Sequence, residues 1–489
     1  MNSDHQLLWR RLEHLPLDAP GTAQPFTARL AREQGWSLRY AVRVVDEYRR
    51  FLFLAKTAGP ACPSEQVDEA WHLHLCYTRS YWNDLCHDVL GEPLHHQPTE
   101  GGPAQLEHHR TMYLATLAAY REQFGNEPPA DIWPVVDERF AATSKRSIDL
   151  QQHIVLPRPR LASLVQRLRR RLKSATWLGA FALAPVIGVT WNPFDLSGPE
   201  FLWLYGSLLA TAIVGGIALR SLLREPDDGS PYPELDAYEV AVLAGDEKLA
   251  MQTAICEMIV AGQLALDKAD GRLSVVDHQR PHGVPPLVQA IYDSLANREA
   301  AGIQDAYNAG QLEAARIGVK LESLRLLETK ETSKAARWIP GLLCGVVALF
   351  GLAKFCVGVY RDKPVVILAI MAIGAGLAVA TFTKPIKRSL RGDHLLRRLQ
   401  GKRPDLKQSD ELFTRPPADV AMGIALFGIA AMATAPGGVA DLHRWMRPQA
   451  AGGTGCTTGG AGCGGGDGGG GGGDGGGCGS GCGGCGGGD

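Results

Sequence analysis

The chain is poor in several features that would narrow its function. Its 489 residues carry 50 basic and 51 acidic side chains, so neither sign of charge is in surplus. That balance excludes a globally basic nucleic-acid binder, and any basic surface must be local. Aromatic residues make up only 7% of the chain. Cysteine is sparse before the C-terminal tail. Cys62, Cys76, Cys86, Cys256, Cys344 and Cys356 lack the spacing of a disulfide framework, which points to thiols or ligands in a reducing compartment. The start, Met1–Leu12, is polar and charged, with no apolar core followed by small residues. No secretory signal is expected, and the N-terminus is placed in the cytosol.

Glycine and long apolar runs are what the sequence has in excess. Between Gly452 and Asp489 there are 25 glycines and 5 cysteines. A chain of this length predicts two to four units. Residues 1–150 read as a helical cytosolic domain, with apolar residues at three-to-four spacing in Ser37–Leu54 and Pro103–Phe124. A linker over residues 151–174 follows, with seven Lys/Arg and no acid from Arg158 to Lys173. Four uncharged or nearly uncharged runs come next: Ala175–Trp191, Phe201–Leu219, Trp338–Tyr360 and Val365–Thr383. Each is long enough to cross a bilayer as a helix, the first with help from its flanks. They are expected to form two hairpins, residues 175–220 and 338–383.

The lysines and arginines before the first run, at Arg220 and Arg224, and in Lys384–Lys407 place those ends in the cytoplasm. The N-terminal domain and residues 225–337 then share that side. A fifth apolar run, Val420–Ala435, has bases on both flanks and is expected to be an interfacial or re-entrant helix within the basic segment 384–450. Lys354, the one charge inside a run, lies near enough to Tyr360 to snorkel to the interface. Gly341-x-x-x-Gly345 offers a helix-packing face.

In the central piece, helices are expected over Asp236–Leu243 and Glu247–Ala261, then strands Gln263–Leu266 and Arg272–Val276 around the turn Asp270-Gly271. Helix, helix, hairpin is the order of a winged-helix module. Its second helix offers only Lys248 as a base, so no nucleic-acid partner is expected. Helices over Leu287–Leu295 and Gln304–Leu327 follow.

Seven of the 14 histidines fall within Val67–His109. If Glu65–Leu85 is one helix, Asp68, His72 and Cys76 lie four apart on one face. Asp68 could orient the His72 imidazole, and Cys86, His95 or His96 could complete a site suited to zinc. His72 and His74 are two apart on a helix and point in nearly opposite directions, so they cannot easily share an ion. Neither HExxH nor a CxxC pair occurs here. The plain alternative is that Trp71, Tyr81 and Trp82 are core and the histidines are hydrogen-bonded or surface groups. In the tail, Cys456, Cys463, Cys478, Cys482 and Cys485 could bind a soft metal or form a redox pair, or be incidental to a disordered segment.

Val67-Asp68-Glu69-Ala70-Trp71-His72-Leu73-His74, with Tyr81, Cys86, Gly91 and His96, resembles the signature of glycine-rich domain-containing proteins over residues 40–140. That family has no agreed enzymatic activity. From Asp236 onward the chain is similar to uncharacterised bacterial multi-pass membrane proteins. The likeness lies in Asp236–Gly245, in Lys363-Pro364-Val365 and in the Gly/Cys-rich end, with Gly245-Asp246 where members usually carry Gly-Gly. The resemblance implies a bacterial plasma-membrane location. The fold expected is mainly α: a soluble helical domain, a four-helix membrane region, a winged-helix-like insert, and a disordered tail over residues 451–489. The function expected is a membrane-anchored interaction or scaffold protein with an unknown protein partner and a zinc site. A metal-dependent enzyme in the N-terminal domain and a small-solute channel or transporter are the alternatives.

Overall fold

The computed structural model describes residues 3–19, 22, 24–96, 102–141, 196–267, 269–276, 283–296, 298, 300–407, 412–429 and 446. The expected linker, the run Ala175–Trp191 and the Gly/Cys-rich tail lie outside these residues. The described chain is mainly helical and forms two compact units, one over Met1–Ser147 and one over Ile148–His443.

The first unit holds helices α1 (Ser3–Glu13), α2 (Phe26–Glu33), α3 (Leu38–Thr57), α4 (Glu65–Cys76), α5 (Ser80–Leu90, wound as a π-helix), α6 (Pro103–Phe124) and the short α7 (Val136–Arg139). Ser37 and Ser64 start α3 and α4 by accepting hydrogen bonds from the Tyr40 and Val67 amides. Gly91 and Gly125 end α5 and α6 with φ of 71° and 69°, a left-handed turn that costs glycine little. α3 supplies the centre of the core through Tyr48, Phe51, Leu52, Phe53 and Leu54, all fully buried. Glu47 is buried beside them and is satisfied at both oxygens: Trp133 Nε1–H donates at 2.9 Å, Arg50 at 2.8 Å and the Tyr120 hydroxyl at 3.2 Å. Burial raises the Glu47 pKa above the ordinary carboxylate range.

In the second unit, α8 (Gly198–Leu223), α13 (Lys330–Tyr360) and α14 (Val366–Phe382) are the apolar helices. α13 packs against both others. α8, and α13 from Thr332, are long and apolar enough to cross a membrane, and only 17% and 11% of their apolar windows are buried. A soluble core helix of that composition would be mostly buried. α14 is apolar but shorter. A Cβ added at Gly341 would meet the Thr383 methyl at 3.5 Å, and one at Gly345 would meet nothing within 4 Å. At Gly351 an added Cβ would lie 2.4 Å from the Tyr205 ring, so α8 packs tightly there. Lys354 donates from Nζ to the Leu196 carbonyl at 3.1 Å, just ahead of α8, and sits 4.9 Å over the Phe201 ring.

Between α8 and α13 lie α9 (Ala237–Ala244), α10 (Glu247–Val260), β1 (Leu264–Leu266), β2 (Arg272–Val275), α11 (Pro286–Ala296), β3 (Ala301–Gly302) and α12 (Ile303–Ser323). β1 and β2 pair antiparallel with Ala265 opposite Ser274, and β3, which is too short to show a period in the sequence, adds a third strand with Ala301 opposite Leu273. After α14 come α15 (Leu390–Lys402) and α16 (Pro417–Phe427). α16 packs on α9 and α10, with Val420, Ala421, Ile424 and Ala425 fully buried. Over the described part of Val420–Ala435, the apolar side chains are thus covered largely by protein.

Three chain segments meet where the apolar helices join this insert. The Glu225 amide donates to Glu328 Oε1 at 2.6 Å and the Glu328 amide to the Lys387 carbonyl at 2.9 Å. The Ser389 amide donates to Leu326 O and the Leu390 amide to Glu225 O, both at 3.1 Å. Arg224 caps the Arg388 and Ser389 carbonyls and pairs with Asp393. Burial pushes the Asp393 pKa up, but the hydrogen bonds from Arg224 and Arg388 outweigh it and hold the carboxyl below its ordinary value.

Two outcomes test this collar. A Cβ at Gly392 would lie 2.2 Å from the Leu326 carbonyl oxygen. Gly392→Ala should therefore lower stability by roughly 1–3 kcal/mol, the ordinary cost of overpacking, although helix propensity alone favours alanine by about 1 kcal/mol. Thermal unfolding of the full chain in detergent reads the sign. Because Asp393 is held low, its contribution is complete at neutral pH and is lost as pH falls through its folded pKa. Asp393→Asn should melt below wild type at pH 7, and the gap should close in acid.

Candidate metal centre

The helical period of α4 divides one short motif between two environments. Val67, Ala70, Trp71 and His74 turn inward and are buried, while Asp68, His72 and Cys76 follow one another along a more exposed line. The helix does not continue to Leu85 as expected. It ends at Tyr77, whose amide bonds the His74 carbonyl at 2.9 Å in a non-helical conformation, and the chain turns into α5.

The inward residues build the support. The His74 imidazole is fully buried between the Tyr48 hydroxyl (2.9 Å from Nδ1) and the Ser80 hydroxyl (3.2 Å from Nε2). Burial lowers its pKa to about 4, with Arg49 adding to the effect, so at neutral pH it is an uncharged core residue. Trp71 donates from Nε1 to the Tyr81 hydroxyl at 3.0 Å, and Tyr81 in turn donates to the Leu94 carbonyl. That pair of bonds pins the segment after Gly91. Two residues beyond Leu94, the His96 ring lies against Trp71, with centroids 4.5 Å apart.

His96 is thereby delivered to the outward face of α4. Its Nε2 is 2.9 Å from Asp68 Oδ1, and His72 Nε2 is 4.0 Å from the same oxygen. One ligand atom from each of Asp68, His72 and His96 lies within 4.8 Å of the other two. A tetrahedral ion with bonds of about 2.1 Å spaces its ligand atoms by roughly 3.4 Å, a value that the two distances to Asp68 Oδ1 bracket. Two imidazoles and a carboxylate suit zinc, and the same set is one that ferrous iron takes. Asp68 is 25% and His96 20% exposed at the side chain, against 51% for His72, so the site is open to solvent on the His72 side.

Asp68 is not the orienter of His72 that the spacing suggested, since 4.0 Å is too long for a hydrogen bond. A carboxylate oxygen of Asp68 is itself one of the three clustered atoms. Cys86 and His95 are not brought to this cluster. Cys86 is buried on α5, where burial raises its thiol pKa, and His95 is exposed with its ring 5.8 Å from Trp82. Cys456, Cys463, Cys478, Cys482 and Cys485 lie outside the described residues.

The support makes a direct prediction. Tyr81→Phe removes the acceptor for Trp71 and the donor to Leu94, so it should cost roughly 1–3 kcal/mol of stability. Trp82→Phe, at an exposed neighbour, should cost far less. Thermal unfolding of both variants as full chains in detergent decides it, and equal melting points would mean that Tyr81 does not hold the segment.

A protein-family model described as UCP032817-like matches residues 24–123, that is, 100 of the 489 residues and all three members of the cluster. No curated protein and no solved structure matches the chain. What the comparisons establish is a likeness of the helical first unit to the UCP032817-like family.

Proposed function

We propose that this is a membrane-embedded protein that presents a small helical domain with a zinc-class metal site, and that it acts by binding rather than by turnover. The observation that carries the metal reading is the convergence of Asp68, His72 and His96 from two segments of chain, supported from beneath by Trp71 and Tyr81. The membrane reading is supported by two long apolar helices that leave most of their surface uncovered. On this reading α8, α13 and α14 belong to one membrane region, and the expected first run, Ala175–Trp191, lies outside the described residues. The Lys/Arg bias then sets the N-terminal domain and the insert in the cytoplasm, at a bacterial plasma membrane. The insert has the element order of a winged-helix module, and its acidic second helix suits a protein contact rather than DNA. The glycine-rich-domain and multi-pass-membrane resemblances agree with this division.

The half-exposed His72 supports a second reading. Three protein ligands with solvent on one side are the arrangement of catalytic zinc, in which the fourth position holds water. Elemental analysis of the full chain, purified in detergent, tests both. We expect about one zinc per chain, lost in His72→Ala and in His96→Ala, and kept in Cys86→Ala and His95→Ala. Absence of metal from the wild type, or its retention in His96→Ala, would overturn the site. Hydrolytic activity lost together with the metal would favour the enzyme. For the membrane reading, the chain should stay with the pellet after alkaline carbonate extraction.

A further inference from the structure

At the collar end of the three apolar helices stand four cations that no described carboxylate pairs. Arg220 is near the end of α8, Lys334 and Arg337 are in the first turns of α13, and Lys384 follows α14. They share a level because Leu219, Leu223, Ala335, Ala336, Ile339 and Ile386 form one apolar cluster there. Arg220 donates from Nη1 to the Thr381 carbonyl at 3.3 Å and from Nη2 to the Lys384 carbonyl at 2.9 Å, bonds to neutral acceptors that cancel no charge. Arg337 lies 5.0 Å over the Trp338 ring, and its buried Nε has no hydrogen-bond partner. Lys334 and Lys384 are exposed. Among the described side chains no carboxylate pairs with any of the four. The acids of the collar are engaged elsewhere: Asp393 with Arg224 and Arg388, Glu225 with Arg325, Asp246 with Lys387.

An exposed lysine without a partner is ordinary. A buried arginine Nε without one also occurs at Arg139 and Arg391, so what sets this end apart is four cations at one level that no described carboxylate pairs, which leaves their charge to be balanced from outside the chain. Directly beyond the cations the surface becomes apolar. Trp338, Leu342, Val346 and Leu349 on α13 are 58–70% exposed, and Val214 and Ile217 on α8 are 66% and 59% exposed. A ligand that matches both zones has an anionic head with several acceptor oxygens and a long apolar body.

We propose that Arg220 and Arg337, with Lys334 and Lys384, hold the phosphate of an acidic phospholipid at this end of the helix bundle. The phosphate oxygens accept from the Arg337 guanidinium, which favours planar, charge-assisted pairing. The acyl chains lie along α13 below Trp338, an aromatic placed where headgroup meets hydrocarbon. The inference rests on the membrane reading above and deepens it from bilayer to lipid class.

The test uses the full chain reconstituted into phosphatidylcholine vesicles with and without phosphatidylglycerol, with flotation to score insertion and mass spectrometry of co-purified lipid to score retention. Wild type should retain phosphatidylglycerol over phosphatidylcholine by roughly tenfold or more, the scale set by a few cations near a surface. Arg220→Gln/Arg337→Gln should bring the ratio close to one, and high salt should do the same. Arg220→Lys/Arg337→Lys, which keeps the charge, should retain part of the preference. Arg361→Gln/Lys363→Gln, in the loop between α13 and α14, should retain all of it. Insertion into both vesicles with no preference in the wild type would overturn the lipid site and leave the membrane reading standing. Failure to float with either would overturn both. Displacement of the lipid by added inorganic phosphate would assign the site to a soluble anion instead, and would overturn the proposal as stated.

Discussion

A helix turns about 100° per residue, and that single constraint organises the first unit. In Asp68–His74 it sends Trp71 and His74 into the core and leaves Asp68 and His72 facing out. The same four-residue rise that aligns Asp68 with His72 aligns Val67 with Trp71 behind them. Burying the inner face fixes the direction of the outer one. Everything further at the cluster follows from the Trp71–Tyr81–Leu94 bonds, which bring a residue 24 positions beyond His72 to its side. Without them the cluster would be a carboxylate and one imidazole on a solvated helix.

The second unit has a different organising device. Its apolar helices are held to the polar insert by backbone groups from three separate stretches of chain, and the charged side chains among them serve mostly to satisfy that backbone. Ser389 shows the economy of the arrangement. Its amide bonds Leu326 O, its hydroxyl donates to Arg325 O at 2.7 Å, and the same hydroxyl oxygen accepts from the Gly392 amide to start α15. Arg325 itself sits at φ 58°, a left-handed conformation uncommon outside glycine, asparagine and aspartate. The turn is held there by bonds on both sides of it. Arg220 and Arg337 stand at the rim of this satisfied zone, and the contrast makes their unbalanced charge notable.

What the sequence could reveal followed from local periodicity. Pro103–Phe124 is read to the residue because proline opens it and Gly125 closes it. Asp236, Gly262 and Asp270-Gly271 likewise mark their elements through capping and turn chemistry. The break at Tyr77 was not legible, since no glycine or proline stands there and the apolar pattern runs on into α5. The packing of Val420–Phe427 on α9 and α10 was not legible for a related reason: an all-apolar helix looks the same whether protein or lipid surrounds it. For the cluster, Asp68 and His72 were readable from spacing, whereas choosing His96 over His95 or Cys86 required a contact between Tyr81 and the Leu94 backbone that no spacing encodes.

The buried His74 carries a consequence of its own. A neutral imidazole has one N–H and one lone pair, while the hydroxyls at its two ends, Tyr48 and Ser80, can each donate or accept. The three groups therefore form a line with two senses. Either Tyr48 donates inward and the ring passes a proton toward Ser80, or Ser80 donates and the ring points its own toward Tyr48. Mixed orders leave two protons facing each other or none. Reversing the sense moves every proton in the line at once, so the tautomer deep in the core is set by the orientation of a hydroxyl at its partly exposed rim.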